Sequence, residues 1–413
     1  MNDSVLFIAY DGLLDQLGGS QILPYLRGIA AHPRYVHIVS FEKPARFAVG
    51  AEKMRADLAR DGIGWTPVPF TSRFGKLGKL WDLGRMYATC LRLQLKHRFG
   101  IVHCRSYMSM QVGAFLHRLT GVKAIFDMRG LWVDERVDGG LWKQDRWLNR
   151  VIYRTYKRIE RNLLASASHV VVLTRCVVPE LKRLSPAMSA PVTIIPCCAD
   201  FDHFVMPSGE TRQAVRAELG IPPDAMVLSY LGSLGTWYML EDMLRLFAAA
   251  AGQRDDVYLL FITRDWQDEQ EDLLKTMGIG HLRARIHVRS ASREEVPSLM
   301  AASDIMLSFI KPAYSKMGSC PTKLAEAFAL GIPVISNVNV GDVEQITDEL
   351  AAGATFDLDD AGAFERLAGK LEEIKGMGGA ALRERARKTF GLEVAENSCR
   401  QVYETIEQSK CCR

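Results

Sequence analysis

The sequence has 413 residues, of which 48% are hydrophobic, and its formal net charge is +4 at pH 7. Because a single core stops growing near roughly 250–300 residues, we expect two domains. The small net charge does not indicate a nucleic-acid partner, and no stretch approaches the roughly 18 apolar residues that span a bilayer. The nine cysteines are scattered and odd in number, which is typical of reduced thiols in a cytoplasmic protein.

Short apolar runs alternate with amphipathic segments along the first half of the chain. The apolar runs predict strands at residues 5–10, 36–40, 101–104, 124–127 and 170–173. Helical patterns lie between them, at residues 20–31, 77–97 and 147–165. This alternation indicates a parallel sheet that is covered by helices on both faces.

The same alternation restarts after a break in periodicity at residues 191–207. Strands are predicted at residues 227–231, 257–262, 286–288, 305–308 and 334–336. Helices are predicted between them, at residues 240–251, 293–302 and 322–330. We therefore predict an α/β protein of two Rossmann-like, doubly wound domains, 1–196 and 197–392, whose strand carboxyl ends face a central cleft. A C-terminal helix and tail, 393–413, is expected to pack back on the N-terminal domain.

The most informative stretch is residues 318–337, which read GSCPTKLAEAFALGIPVISN. Pro321 suits the first turn of a helix, where backbone amides have no intrahelical partner. Those amides and the helix dipole favour an anionic ligand such as a diphosphate, and Lys323 would add a positive charge beside it. Glu326, one turn further on, could accept two hydrogen bonds from a ribose diol. The alternative is an ordinary helix on which Lys323 and Glu326 are solvated.

This block resembles the nucleotide-sugar signature of the family 4 retaining glycosyltransferases, which have the GT-B fold. The resemblance covers nearly the whole chain. The further motifs that carry it are Tyr-Asp-Gly at 10–12, Leu-Gly-Gly-Ser-Gln at 17–21, Ile-Pro at 195–196 with Asp200 and Phe204, and Ser-Asp-Ile at 303–305. It implies that the N-terminal domain binds an acceptor and that the C-terminal domain binds a nucleotide sugar.

Family members usually carry two glutamates in the donor block, with seven residues between them. Glu326 matches the second glutamate, and the resemblance implies that it binds the nucleotide ribose. Gly318 takes the place of the first, so the usual contact to the donor hexose is missing. Backbone amides near Ser319, Cys320, Pro321 and Thr322 could face the sugar instead.

A second departure concerns the diphosphate. Many relatives place an arginine and a lysine just after the first strand of the C-terminal domain, whereas this sequence has LGSLGTWY at 231–238. Gly232 still permits a close approach of the backbone near Ser233. The missing positive charge could come from Lys323 or from Arg264, although Arg264 is equally consistent with an ordinary surface position.

In the N-terminal domain, Gly18, Gly19 and Ser20 are expected to open a helix directly after a strand. A glycine-rich turn there lets amides reach a phosphate or a developing oxyanion. The spacing is not the dinucleotide fingerprint, and no acidic residue closes a second strand at the right distance. A nicotinamide-dependent enzyme is therefore disfavoured.

Charged side chains end two strands that face the same predicted cleft. Asp127 stands near the position where the family often has a histidine, close to the reacting sugar, and Arg129 follows it. An ionised Asp127 could position the acceptor hydroxyl or stabilise an oxocarbenium-like centre; it could equally cap the following turn. His103 and Arg105, at the end of the preceding strand, are weaker candidates for an acceptor or secondary role.

Two segments combine basic and apolar residues in a way that suits an anionic membrane surface. Solvated faces of ordinary helices are the competing interpretation. The basic residues are Arg73, Lys76, Lys79, Arg85, Arg92, Lys96 and Arg98 in the first segment, and Lys143, Arg146, Arg150, Arg154, Lys157 and Arg158 in the second.

These observations and the resemblance together predict a cytoplasmic glycosyltransferase, which could also bind as a peripheral protein to the inner face of the cytoplasmic membrane. The resemblance implies that it moves a hexose-type sugar from a nucleotide diphosphate donor to a glycan or lipid-linked acceptor with retention, in bacterial cell-surface polysaccharide synthesis. We expect no cofactor, no metal and no nucleic-acid partner. A nucleotide-sugar epimerase and a non-catalytic nucleotide-sugar-binding protein remain alternatives at this stage.

Overall fold

The computed structural model describes residues 4–30, 34–71 and 75–411, without the side chains of Gln16, Lys76, Leu77, Ser409, Lys410 and Cys411. The chain divides into two compact units. The first unit consists of Met1–Pro196, Met317–Ser319 and Leu392–Arg413. The second unit consists of Cys197–Lys316 and Cys320–Gly391. Arg73 of the predicted basic segments lies outside the described residues, as does the side chain of Lys76.

The first unit is built on a parallel sheet of seven strands, which are β1 (Val5–Ala9), β2 (Val36–Glu42), β3 (Ile63–Pro69), β4 (Ile101–Arg105), β5 (Lys123–Asp127), β6 (His169–Val172) and β7 (Val192–Ile194). Their spatial order is β3-β2-β1-β4-β5-β6-β7. All residues of β1, β2, β4 and β6 are buried, because helices cover both faces of a parallel sheet.

Helices connect and cover these strands. They are α1 (Gln16–Gln21), α2 (Leu23–Ala30), α3 (Pro44–Arg60), α4 (Gly75–His97), α5 (Ser106–Thr120), α6 (Trp132–Asp138), α7 (Trp147–Ser166) and α8 (Val178–Leu184). The last helix of the chain, α18 (Leu392–Cys411), packs against α2 in this same unit.

The second unit is built on a parallel sheet of six strands, which are β8 (Met226–Leu231), β9 (Val257–Ile262), β10 (Ile286–Arg289), β11 (Ile305–Ser308), β12 (Val334–Asn337) and β13 (Gly353–Phe356). Their spatial order is β10-β9-β8-β11-β12-β13. The helices of this unit are α9 (Gly209–Leu219), α10 (Leu240–Gln253), α11 (Asp268–Thr276), α12 (Val296–Met300), α13 (Thr322–Ala329), α14 (Val343–Glu349), α15 (Ala363–Ala368), α16 (Leu371–Gly376) and α17 (Ala380–Phe390).

Both sheets reverse their order of strand addition at one point, between β1 and β4 in the first unit and between β8 and β11 in the second. At such a point the loops leaving the two strands diverge and open a crevice at the carboxyl ends. The predicted fold class, two doubly wound Rossmann-like units, is thereby confirmed. Some of the candidate residues lie at the strands of this reversal: Arg105 ends β4 in the first unit, and Gly232 and Ser233 follow β8 in the second.

Some predicted boundaries were wrong. The helix expected at 20–31 is two helices, because α1 begins earlier, at Gln16, and ends at Gln21, and Ile22 interrupts the helical backbone. Strand β3 was not predicted; its sequence, IGWTPVP, contains a glycine and two prolines, which are unusual in strands. Among the described residues, no helix is both long enough and apolar enough to cross a membrane.

A buried ion pair supports the second sheet. Asp304, which precedes β11, accepts hydrogen bonds from Arg216 and from the backbone amide of Val227 at the start of β8, both at 2.8 Å. Arg216 is buried and also donates to the carbonyls of Ala225 and Ala302. The pair therefore ties α9 to the first central strand of the unit.

We predict that Asp304→Asn destabilises the second unit by about 3–5 kcal/mol, because it leaves the Arg216 guanidinium buried without its counter-ion. Urea unfolding and hydrogen exchange of the β8 amides would measure the loss. Asp272→Asn is the matched control, since Asp272 pairs with Lys275 on the exposed surface and such pairs contribute about 0–1 kcal/mol. Equal effects of the two substitutions would contradict the structural role assigned to Asp304.

Candidate functional site

Strand register brings four ionisable side chains together at the carboxyl edge of the first sheet. Arg105 ends β4 and lies directly beside Asp127, which ends β5. His103 points to the same region from two residues earlier on β4, and Arg129 follows β5 on the next loop. The grouping of these four residues was predicted from the strand ends, and the structure brings all of them to one place.

Asp127 is the centre of this cluster. Its carboxylate lies 3.5 Å from Arg105 Nη1, 3.8 Å from Arg129 Nη1 and 3.9 Å from His103 Nε2. Burial alone would raise the pKa of Asp127, but Arg129, His103 and Arg105 together hold that pKa below its ordinary value. The carboxylate is therefore ionised at neutral pH. Its Oδ1 atom and His103 Nε2 are buried without a hydrogen-bond partner in the described part of the chain.

The turn after Asp127 is held in a sparsely populated backbone conformation. Arg129 has φ 52° and Gly130 has φ 114°, and such residues persist only where the surrounding structure supports them. The hydroxyl of Tyr107 lies 3.3 Å from the Gly130 carbonyl and donates to Glu160 at 2.7 Å. Sequence reasoning missed Tyr107 and Glu160, because they lie on helices 53 residues apart and nothing in their local pattern marks them.

A cavity adjoins the Asp127 cluster inside the first unit. Polar groups of the sheet, of α1 and of α2 reach it, and apolar residues close the remaining walls. Its lining includes Gln21, Tyr25, His103, Asp127, Arg129 and Cys399. Because Cys399 lies on α18, the last helix of the chain forms part of the wall.

The expectation for Gly18, Gly19 and Ser20 was wrong in one respect. These residues lie inside α1 and do not open it, and the Gly19 amide donates to the Asp15 carbonyl at 3.2 Å. That amide is therefore not available to a ligand. Gly18 is required for packing, since a Cβ there would lie 2.3 Å from the Gly12 carbonyl oxygen. A Cβ at Gly19 would meet nothing within 4 Å, so the surface at Gly19 is open to an approaching molecule.

Glu42, which sequence reasoning did not single out, holds the loop before α1. Its carboxylate accepts hydrogen bonds from the amides of Leu13 and Leu14 at 2.7 and 3.3 Å and from the Ser40 hydroxyl at 2.6 Å. Glu42 is the last residue of β2, so the expectation that no acidic residue closes a second strand was wrong; its place directly after an apolar run is the sequence signal that could have identified it.

In the second unit, Lys323 is the most unusual residue of the donor block. It lies in the first turn of α13, and its ammonium is buried with no hydrogen-bond partner among the described residues. The Nζ atom lies 4.1 Å from the ring centre of Tyr230 and 4.2 Å from that of Tyr238. Burial lowers the pKa of Lys323 to about 7, and Glu326 opposes the change only in part.

Gly232 lies directly over this ammonium. A Cβ at Gly232 would lie 3.2 Å from Lys323 Nζ, and the residue has φ 130°, which favours glycine. The next residue, Ser233, is exposed, and its carbonyl accepts a hydrogen bond from Tyr230 at 2.5 Å. The loop after β8 therefore passes close to an unpartnered cation, as an anion-binding loop would.

Glu326 lies one turn along α13 from Lys323. Burial raises its pKa, while Arg293 and Lys323 lower it in part. Arg293 was not predicted; it lies in the loop between β10 and α12, where no sequence motif marks it. Glu326 thus interacts electrostatically with two basic residues, Arg293 and Lys323.

The remaining donor-block residues have the following positions. Pro321 is the N-cap of α13 and Thr322 its first residue, so Pro321 precedes the helix by one position. Cys320 Sγ accepts a hydrogen bond from the Cys197 amide at 3.4 Å. Arg264 is exposed and donates to the Ala291 carbonyl at 3.1 Å. Its role in donor binding remains a prediction.

Gly318 groups with the first unit and not with the rest of the donor block. A Cβ there would lie 3.0 Å from the Gly130 Cα atom and 3.2 Å from the Leu131 amide nitrogen. A glutamate at this position would therefore require the backbone at Gly130 to move.

In residues 4–30, 34–71 and 75–411, no group of three or more His, Cys, Asp and Glu residues could hold a metal ion.

Two family models match this chain. The glycosyl transferase 4-like domain matches residues 19–198, and the glycosyl transferases group 1 model matches residues 211–389. The chain belongs to the group 1 glycosyltransferases. The Asp127 cluster lies within the first matched region of this group 1 glycosyltransferase, and Lys323 and Glu326 lie within the second.

A curated relative of this group 1 glycosyltransferase is the D-inositol 3-phosphate glycosyltransferase of Streptomyces avermitilis, which is 23% identical over 260 residues. The match covers 60% of this chain and 54% of the relative, so the chain spans about half the length of that protein.

Two solved structures are similar over nearly their whole length. Sucrose-phosphate synthase from Thermosynechococcus elongatus has a TM-score of 0.70 at 16% identity, covering 98% of this chain and 99% of that one. The Anabaena HepE protein in complex with UDP-glucose has a TM-score of 0.67 at 16% identity, with the same coverage of 98% and 99%. At this identity the likeness concerns the fold.

We predict that Lys323→Met makes the folded protein more stable at pH 7, by about 1–4 kcal/mol. The folded-state pKa of Lys323 is lowered from 10.5 to about 7, so the unfolded lysine binds a proton that the folded one releases between these values. The destabilisation that comes from burying the charged lysine has its full value below about pH 7 and disappears as the pH rises towards 10.5. The stability difference between the two proteins should therefore shrink over this interval.

Urea unfolding at a series of pH values between 6.5 and 10 would measure that difference. Lys275→Met is the control, because Lys275 is fully exposed beside Asp272. A stability difference for Lys323→Met that does not change with pH would show that the lysine is not buried in this environment.

Proposed function

We propose that this protein transfers a hexose-type sugar from a nucleoside diphosphate donor to a glycan or lipid-linked acceptor, with retention of the anomeric configuration. The observation that carries the proposal is the buried ammonium of Lys323, which lies beneath Gly232 and has no hydrogen-bond partner in the part of the chain that the structure describes. A protein keeps such a cation at a cost in stability, and a diphosphate that binds there would supply the missing counter-charge.

The environment of α13 supports a nucleotide sugar as the donor. The N-terminus of the helix presents its dipole to a negative charge, Lys323 adds a cation, and Glu326 offers two acceptor oxygens to a ribose diol. UDP-glucose is the ligand named for the Anabaena HepE protein, which has the same fold. The curated relative from Streptomyces is likewise named as a glycosyltransferase.

The Asp127 cluster supplies the chemistry in this proposal. Breaking the glycosidic bond to the diphosphate develops negative charge on the leaving group and positive charge at the anomeric carbon. The ionised Asp127 stabilises the positive centre or orients the acceptor hydroxyl, and Lys323 stabilises the leaving diphosphate. The leaving phosphate accepts the proton of the acceptor hydroxyl, so the scheme needs neither a further base nor a metal ion.

Donor binding is tested by thermal unfolding in the presence of nucleoside diphosphates and their sugar conjugates. A ligand at a hundredfold excess over its dissociation constant should stabilise the protein by about 2.7 kcal/mol. We predict that Glu326→Ala weakens binding of the stabilising nucleotide by about 10–100-fold, since hydrogen bonds to a charged group contribute about 1.5–3 kcal/mol. Glu241→Ala, on the exposed surface of α10, should leave binding unchanged.

The outcomes separate the proposal from its alternatives. No stabilisation by any nucleotide would overturn the donor site. Binding without turnover would favour a non-catalytic nucleotide-sugar-binding protein, for which Gly318 in place of an acidic residue is the supporting observation. Formation of an epimeric nucleotide sugar without an acceptor would indicate an epimerase. Transfer with an inverted product, observed by NMR of the anomeric proton, would contradict retention.

An exposed apolar and basic face at the start of α7 supports a lipid-linked acceptor at an anionic membrane, as in cell-surface polysaccharide synthesis on the cytoplasmic side. On α7, the side chains of Trp147 and Leu148 are 69% and 49% exposed, and on α4 Trp81 is 65% exposed. Exposed Arg146 and Arg150 flank the two α7 residues. Aromatic and basic side chains in this combination suit the interface of an anionic lipid layer.

We predict that the double substitution Trp147→Ser with Leu148→Ser lowers binding to vesicles that contain phosphatidylglycerol by at least about tenfold, because it removes the apolar surface that would enter the lipid. Vesicle co-sedimentation would measure the binding. Val49→Ser is the matched control, since Val49 is 89% exposed on α3 of the same unit. Equal binding of all three proteins, or equal binding to neutral vesicles, would exclude this face as the membrane contact.

A further inference from the structure

The last helix of the chain reaches the Asp127 cluster through one side chain. Tyr403 on α18 is completely buried, and its hydroxyl lies 2.8 Å from His103 Nδ1. The two rings meet edge to face, with centroids 5.8 Å apart. Because His103 Nε2 is 3.9 Å from the Asp127 carboxylate, an imidazole ring connects α18 to the candidate reaction centre.

Other contacts fix Tyr403 in this position. The guanidinium of Arg34 lies 5.3 Å from the Tyr403 ring centre and also pairs with Glu407, one turn further along α18. The Phe7 ring also packs on His103, with the two ring centroids 4.8 Å apart. Tyr403 and His103 therefore have little freedom to exchange this hydrogen bond for another.

The hydrogen bond has a preferred direction. Burial raises the pKa of Tyr403 well above its ordinary value, so the phenol keeps its proton. Within the described residues, His103 Nδ1 is the acceptor that this buried proton reaches. A proton on Nδ1 instead would leave the phenol proton without an acceptor, and buried polar groups without partners are rare.

The second nitrogen of the ring points to the same tautomer. If Nδ1 accepts from Tyr403, neutral His103 carries its proton on Nε2, which faces the ionised Asp127. The opposite tautomer would direct a lone pair of Nε2 towards a carboxylate oxygen, which is repulsive. A hydrogen bond at one imidazole nitrogen commonly determines which nitrogen carries the proton.

We propose that Tyr403 is a positioning residue, which fixes the tautomer of His103 so that Nε2–H is a hydrogen-bond donor towards Asp127 and the adjoining cavity. The Nε2–H group of His103 then lies 3.9 Å from the Asp127 carboxylate and can donate its one proton to a ligand oxygen in the cavity; it does not remove a proton through Nε2. The tautomer is a property of the free protein, and only its effect on turnover rests on the proposed function.

The chain offers a matched control. Tyr35 and His37 form a second tyrosine–histidine contact in the same sheet, with the hydroxyl 3.0 Å from His37 Nδ1. That pair lies at the start of β2, at the opposite edge of the sheet from Asp127. The Nε2 atom of His37 is hydrogen-bonded to the Thr66 hydroxyl at 2.8 Å. Tyr35→Phe therefore removes a comparable hydrogen bond without touching the Asp127 cluster.

The test is NMR of the full-length protein labelled with ¹⁵N at its nine histidines, recorded near pH 8 without ligand. The His103 signals are assigned by their loss in His103→Gln. We expect the Nε2–H form of His103 in the unmodified protein and in Tyr35→Phe, and a shift towards a mixture of tautomers in Tyr403→Phe. An Nδ1–H form in the unmodified protein, or an unchanged tautomer in Tyr403→Phe, would overturn the proposal.

Turnover of the nucleotide sugar that stabilises the protein in thermal unfolding, measured as release of the nucleoside diphosphate, provides a second readout. We expect Tyr403→Phe to lower kcat about tenfold or more with little change in KM, as for other residues that orient a functional histidine. Tyr35→Phe should retain the activity of the unmodified protein. Equal kcat values for all three proteins would contradict a catalytic consequence of the tautomer. Absence of turnover in the unmodified protein would count against the proposed function, and the NMR result would still decide the tautomer.

Discussion

Burial of charged groups that lack a full set of partners is the constraint on which the candidate sites depend. In each unit, a charged side chain lies at the carboxyl edge of a parallel sheet and is shielded from water: Asp127 in the first unit and Lys323 in the second. Asp304 shows the contrasting, structural case, since arginines and a backbone amide satisfy it completely. The difference between satisfied and unsatisfied burial distinguishes a support of the fold from a place where a ligand completes the structure.

The surroundings of the two groups differ according to the charge that each must retain. Cations surround Asp127 and keep it ionised despite its burial. Lys323 has aromatic faces on two sides and one carboxylate nearby, so its charge is only weakly supported in the absence of a ligand. An anion would change the state of the second group far more than that of the first. In the proposed function, donor binding and acceptor chemistry therefore place different demands on the protein.

Much of the fold and part of the site could be predicted from the sequence. Alternating apolar runs identified most strands, and the rule that parallel strands end at one edge grouped Asp127 with Arg105 and His103. The rule could not locate the start of α1, because an isolated glycine pair is compatible with a turn and with a helix; only packing of Gly18 on the preceding loop decides this. Nor does any local pattern show that Lys323 is buried, or that Tyr403, 300 residues away, contacts His103.

The contact between Tyr403 and His103 also has a consequence for synthesis of the chain. Strands β1 to β7 leave the ribosome before the second unit, whereas α18 follows it. During translation the surface of α2 that α18 covers therefore stays exposed while the second unit, almost 200 residues, is synthesised. Domains generally fold as units from the N-terminus, but here the first unit does not acquire α18 until the second unit has been synthesised.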